Sequence, residues 1–91
     1  MAEVKFSPAA FQAYEGLEKA GAEHMLDAID DAVDGLEADP SSASCRRRAF
    51  RGGLWGIPIR DPHDDWLIVW EFDPEAADVV RVRYIGADPF A

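Results

Sequence analysis

The chain has 91 residues, 48 % of them apolar, and its 18 Asp and Glu against 9 Lys and Arg give a formal net charge of −9. That length supports one hydrophobic core, so residues 1–91 are expected to form a single domain. A field of that sign repels phosphate backbones and argues against nucleic-acid binding by the molecule as a whole, and the lone cysteine, Cys45, excludes an internal disulfide.

Residues 1–20 lack a basic start followed by an apolar run, and no stretch approaches membrane-spanning length, so a soluble cytoplasmic protein without membrane contact is expected. Glu3-Val4-Lys5-Phe6 alternates polar and apolar residues and predicts a short strand. Ser7-Pro8 then supplies a helix start, a hydroxyl to cap and a proline for the first helical position. Ala10, Phe11, Tyr14 and Leu17 recur at helical spacing, and Gly21 stands where a left-handed residue would close the helix. A second helix is predicted over 22–38, with Met25, Ile29, Val33 and Leu36 as its apolar stripe and Asp39-Pro40 as its stop. The short link predicts an antiparallel helical hairpin.

The polar loop 41–44 leads to Arg46-Arg47-Arg48-Ala49-Phe50-Arg51, the only basic cluster, which ends in Gly52-Gly53. A three-stranded meander is predicted over 54–60, 66–72 and 79–85, with turns at Asp61-Pro62-His63-Asp64-Asp65 and Asp73-Pro74-Glu75. Period-two alternation places Trp66, Ile68, Trp70, Val80, Val82 and Tyr84 against the helices. Glu71, Arg81 and Arg83 then share the opposite face, where the glutamate is expected to neutralise the arginines. The fold class is α+β: an N-terminal strand, a helical hairpin, then a mainly antiparallel sheet packed on it.

Charge is unevenly placed. Residues 1–45 carry two Lys against ten Asp and Glu, whereas residues 46–91 carry seven Arg against eight. Glu23, Asp27, Asp30, Asp34 and Glu37 step by four, three, four and three, a carboxylate stripe along the second helix with no Lys or Arg to offset it. It reads as a solvated face or as a docking face for a basic partner. Its carboxylates do not converge, so no metal site is expected, and nothing calls for a cofactor. Arg46, Arg47, Arg48 and Arg51 suit RNA phosphates, an acidic segment of a partner, or internal pairing with the acidic helix before them. His24 reads as a surface residue, and Cys45 lacks a neighbour to activate it as a nucleophile.

The order of elements resembles the RelE/ParE superfamily of toxins from bacterial type II toxin–antitoxin systems. Val4-Lys5-Phe6-Ser7-Pro8-Ala9-Ala10 is similar to the opening of that family, and Leu36 through Asp39-Pro40 to its second helix end. Gly53-Leu54-Trp55-Gly56-Ile57-Pro58-Ile59 is similar to its G-L-W-R-I-R-V strand. Trp66 to Phe72 and Arg83-Tyr84-Ile85-Gly86 match the two strands that follow.

The resemblance implies a small antitoxin partner, and for members that cut messenger RNA on the ribosome it implies cations on one sheet face and a late tyrosine. In-line attack by a ribose hydroxyl builds negative charge at the phosphate, which such cations offset. Here the two basic positions of the W-R-I-R strand match Gly56 and Pro58, and the following strand has Leu67 where those members carry arginine. Ala87 or Asp88 falls at the basic position after the last strand, and the sequence ends at Ala91, before the usual tyrosine. Substitutes would have to come from Arg60, His63, Arg81 and Arg83, with Arg48 and Arg51 in support, although His63 in its proline turn reads as solvated.

The expectation is therefore a toxin-fold protein that acts mainly through protein contacts, with weak or no ribonuclease activity. Two alternatives stand beside it: a ribosome-dependent mRNA endoribonuclease with a relocated basic site, and a stand-alone acidic interaction module. Nothing in the sequence sets the oligomeric state.

Overall fold

Seven elements follow one another in a computed structural model that describes residues 2–60, 64–76 and 78–89. Strand β1 (Glu3–Phe6) runs into helix α1 (Pro8–Ala20) through Ser7, whose Oγ accepts from the Ala10 N–H at 3.2 Å. The same hydroxyl donates to the Arg83 carbonyl at 3.1 Å, so the cap also ties the helix start to the sheet. Gly21, at φ 69°, ends α1 in the left-handed region that a side chain disfavours. Its N–H and that of Ala22 satisfy the last-turn carbonyls of Glu18 and Leu17. Helix α2 (Glu23–Ala38) follows at once and stops at Asp39, as Pro40 requires.

The sheet has five strands in the order β1-β5-β4-β3-β2. β3 (Leu54–Arg60), β4 (Asp65–Phe72) and β5 (Val79–Ala87) form the expected antiparallel meander, and β1 lies parallel to β5 at one edge. The other edge is a strand beyond those expected, β2 (Arg48–Phe50), paired with β3 across a turn through Gly52 at φ 78° and Gly53 at φ 76°. Half of the basic cluster is therefore strand.

Both helices cover one face. Met25, Ile29 and Leu36 of α2 are buried with Ile57, Ile68 and Trp70 of the sheet, and Ala10 joins them from α1. Trp70 is 0 % exposed, and its indole N–H donates to the Cys45 carbonyl at 2.7 Å, which fixes the loop after α2 to the centre of the sheet. Burying the ring without that acceptor would strand a donor in apolar surroundings.

Two expected inward residues point elsewhere. Phe11 is 52 % exposed, because the buried stripe of α1 passes through Ala10, Ala13, Tyr14 and Leu17 and leaves it one step round the helix. Tyr84 is 42 % exposed because the β4–β5 register slips: Val69 faces Tyr84 while Trp70 faces Val82. Arg83 is the extra residue of a bulge, and beyond it the alternation inverts. Ile85, 4 % exposed, takes the inward place, and the Tyr84 ring turns to the open face. There it lies over Gly86, where a Cβ would stand 2.7 Å from Tyr84 Cζ.

Candidate functional site

The sheet face away from the helices is where the resemblance places chemistry. Alternation along the strands and the register bring Arg48, Phe50, Leu54, Gly56, Pro58, Leu67, Val69 and Glu71 to it. Leu67 stands outside the main core, yet it is 1 % exposed. It sits in a groove whose other walls are Phe50, Leu54, Val69, Tyr84 and Pro89. Gly56 is roofed by its neighbours: a Cβ there would lie 2.8 Å from Phe50 Cε2 and 3.2 Å from Leu67 Cδ1. The centre of this face is a second, smaller apolar cluster.

Four arginines around the cluster, Arg48, Arg60, Arg81 and Arg83, are paired. Arg83 Nη1 donates to Glu71 at 2.8 Å, and Arg81 Nε lies 3.4 Å from Asp73 and 4.0 Å from Glu71, the cross-strand arrangement that the alternation predicts. Arg48 Nη1 reaches both Asp88 oxygens, at 2.9 and 2.8 Å, and joins the edge strand to the segment after β5. The Asp88 side chain is 0 % exposed, so it has lost its water, and the Arg48 guanidinium offsets its charge. Arg60 pairs with Asp65 at 2.9 Å at the opposite end of the β3–β4 ladder from the Leu54–Glu71 pair.

Six residues of strand separate those ends, about 20 Å at ~3.3 Å per residue. Arg60 and the Arg81–Arg83 pair therefore cannot grip one phosphate together. His63, the proton carrier of that candidate set, lies outside the described residues.

The basic cluster divides. Arg46 turns inward, its guanidinium 4.8 Å from the Trp55 ring centre and 5.5 Å from that of Phe72, with a 3.3 Å bond to Ser41. Arg48 is held by Asp88. Arg47 and Arg51 are exposed and have no partner among the described residues. None of the four pairs with the acidic helix, as internal neutralisation would require: the loop 41–44 and strand β2 carry them to the far edge of the sheet. The Gly-Gly turn between Arg48-Ala49-Phe50 and Leu54-Trp55-Gly56 was the sequence signal for that strand.

Glu23, Asp27, Asp30, Asp34 and Glu37 are all exposed along α2. Asp30 accepts the Tyr14 hydroxyl at 2.7 Å, joining the two helices. That bond above all, then burial and the nearby carboxylates of Asp30, Glu18 and Asp27, pushes the Tyr14 pKa from 10.0 up to about 12. Folding holds the proton on Tyr14, so its stabilisation is full below pH 10 and lost as the pH rises towards 12. Urea midpoints measured from pH 8 to 12 are expected to fall less steeply above pH 10 in Tyr14→Phe than in the parent.

A family model for the ParE toxin of the type II toxin–antitoxin system parDE matches residues 4–87. Among solved structures, a chain of the intact E. coli RelBE toxin–antitoxin complex superposes with a TM-score of 0.71 at 16 % identity, covering 97 % of this chain and 98 % of that one. The YoeB/ParE toxin from Agrobacterium tumefaciens gives 0.70 at 13 % identity, covering 94 % and 98 %. The YoeB dimer from Staphylococcus aureus gives 0.68 at 14 %, covering 96 % and 97 %. At such identities the likeness is one of fold. No curated protein sequence matches this one.

Proposed function

Because the chain belongs to the ParE toxin family of type II toxin–antitoxin systems, we propose that it is a toxin that acts mainly through protein contacts, with weak or no ribonuclease activity. The observation that carries this reading is the apolar centre of the open face. Leu67 is buried among Phe50, Leu54 and Tyr84 where the resemblance calls for arginine, and Phe50 fills the space over Gly56. A phosphate brought there would lose water and meet no cation to offset its charge. The nearest arginines already hold carboxylates.

The chain works as one domain, and its inhibitor is a small antitoxin protein. The RelBE toxin–antitoxin complex, whose chain shares this fold, supports such a partner. No helix among the described residues is long and apolar enough to cross a membrane, which agrees with action in the cytoplasm.

Induced expression without an antitoxin is expected to arrest growth while primer extension on translated messages finds no new discrete ends. Discrete ends that vanish in the double variant Arg81→Ala, Arg83→Ala would instead identify a ribonuclease with a relocated site. Unaffected growth would leave an interaction module.

A further inference from the structure

We infer that the cavity beside Arg46 binds a small carboxylic acid with an apolar, ring-sized body. The inference goes beyond the toxin reading and holds whether or not the chain cuts RNA. Arg46, Arg48 and Arg81 are the half-buried arginines among the described residues. Arg48 holds Asp88 at 2.8 Å, and Arg81 holds Asp73 at 3.4 Å. Arg46 has no carboxylate partner among the described residues.

A guanidinium carries five N–H donors. That of Arg46 engages one acceptor, Ser41 Oγ at a long 3.3 Å, and its Nε is buried with no hydrogen-bond partner among the described residues. The rings of Trp55 and Phe72, with centres 4.8 and 5.5 Å away, attract the charge but accept no strong hydrogen bond. The cation has lost part of its water and regained only part of that loss. An anion brought to it therefore gains more than one brought to a fully solvated arginine.

The anion has a place to sit. Arg46 lines a cavity of about 580 Å³ at the end of the sheet, where the β2–β3 and β4–β5 turns meet. That size falls within the range of small-molecule sites, ~300–1,000 Å³. Trp55 and Phe72 also line it and pack on the core, which puts the cavity on the helix side, away from the open face. Gly52 and Gly53 complete the wall, and a Cβ on either would meet nothing within 4 Å, so the turn leaves the space beside it open.

The lining sets the class of ligand. Trp55, Phe72 and Pro74 offer apolar area to an aromatic or branched body. Glu71 is the acid of the lining, and Arg83 offsets it at 2.8 Å. Arg46 is left as the uncompensated charge, and it matches one negative charge on the ligand. A phosphate dianion would bring a second charge that no lining cation meets, and would lose more water on entering.

The test titrates isotope-labelled full-length protein at physiological salt with three probes: phenylacetate, phenethylamine, which carries the same ring on a cation, and inorganic phosphate. Phenylacetate is expected to shift the Trp55 indole N–H and the amides of Arg46, Gly52, Gly53 and Phe72 saturably. The amine should bind there at least about tenfold more weakly, although a chain of net charge −9 attracts cations in general. Arg46→Met keeps a stem against the rings and should remove phenylacetate binding. Arg46→Lys, charged but without the planar fork, should fall between the two. Pro74→Asp puts a carboxylate in an exposed turn at the rim and should weaken phenylacetate about fivefold. It leaves Arg46 and both rings in place, so it decides the matter if Arg46→Met does not fold.

No saturable shift at millimolar phenylacetate, equal binding of the amine, tighter binding of phosphate, or unchanged binding in Pro74→Asp would each overturn the inference. So would shifts centred on Leu54, Leu67 and Val69, which would place the ligand on the open face instead. Growth arrest and primer extension play no part in this test, so failure of the site leaves the toxin reading standing, and RNA ends leave the site standing.

Discussion

Trp70→Ala is expected to leave the protein largely unfolded at 37 °C. The side chain is fully buried at the centre of the sheet, in contact with Trp55 and Phe72 at ring-centre separations of 6.5 and 5.1 Å. Truncating a buried tryptophan costs about 3–5 kcal/mol, and losing the donor to the Cys45 carbonyl adds about 1 kcal/mol. Domains of this size have about 5–15 kcal/mol in total. Trp70→Phe keeps a ring and loses only the hydrogen bond and part of the volume, so its urea midpoint should fall between those of the parent and the alanine variant. Equal midpoints for Trp70→Ala and the parent would show that the core is not centred on this residue.

The alternation that exposes Trp70 to sequence reading also marks the limit of such reading. Period two across 66–72 places Ile68 and Trp70 inward and Leu67, Val69 and Glu71 outward, and the structure has them so. The same rule carried along β5 fails after Val82. A bulge is a choice between two burials, and sequence alternation alone cannot weigh Ile85 against Tyr84. Without the slip, Tyr84 would lie inward and Ile85 outward; with it, Arg83 still reaches Glu71 and the aliphatic chain is buried. The Glu71 pairs were legible because they are local to two adjacent strands. The Arg48–Asp88 pair was not, since its members are 40 residues apart and meet only after an edge strand forms. In the basic cluster, charge spacing said nothing of direction: Arg46 faces two aromatic rings while Arg47 and Arg51 face water.

Leu67→Arg puts back the arginine that the resemblance assigns to RNA-cutting members, and it is expected to destabilise the fold without creating a nuclease. The side chain is 1 % exposed, so the substitution removes a buried leucine and brings a guanidinium into the space lined by Phe50, Leu54, Tyr84 and Pro89. Loss of the leucine alone costs about 2–5 kcal/mol, and desolvating the charge adds to it unless the side chain escapes between Tyr84 and Phe50 to water. Leu67→Ala separates the two contributions. If its urea midpoint lies above that of Leu67→Arg, the charge itself is excluded from this face. Primer extension with Leu67→Arg should still show no discrete ends, because one cation does not assemble a site whose neighbouring positions are Gly56 and Pro58. A stable variant that cuts would mean that the backbone of the open face still holds RNA in line and that only the cation had been lost. A variant that is destabilised but still folded at the assay temperature, and does not cut, means that Phe50 and Tyr84 lie over the place where RNA would sit.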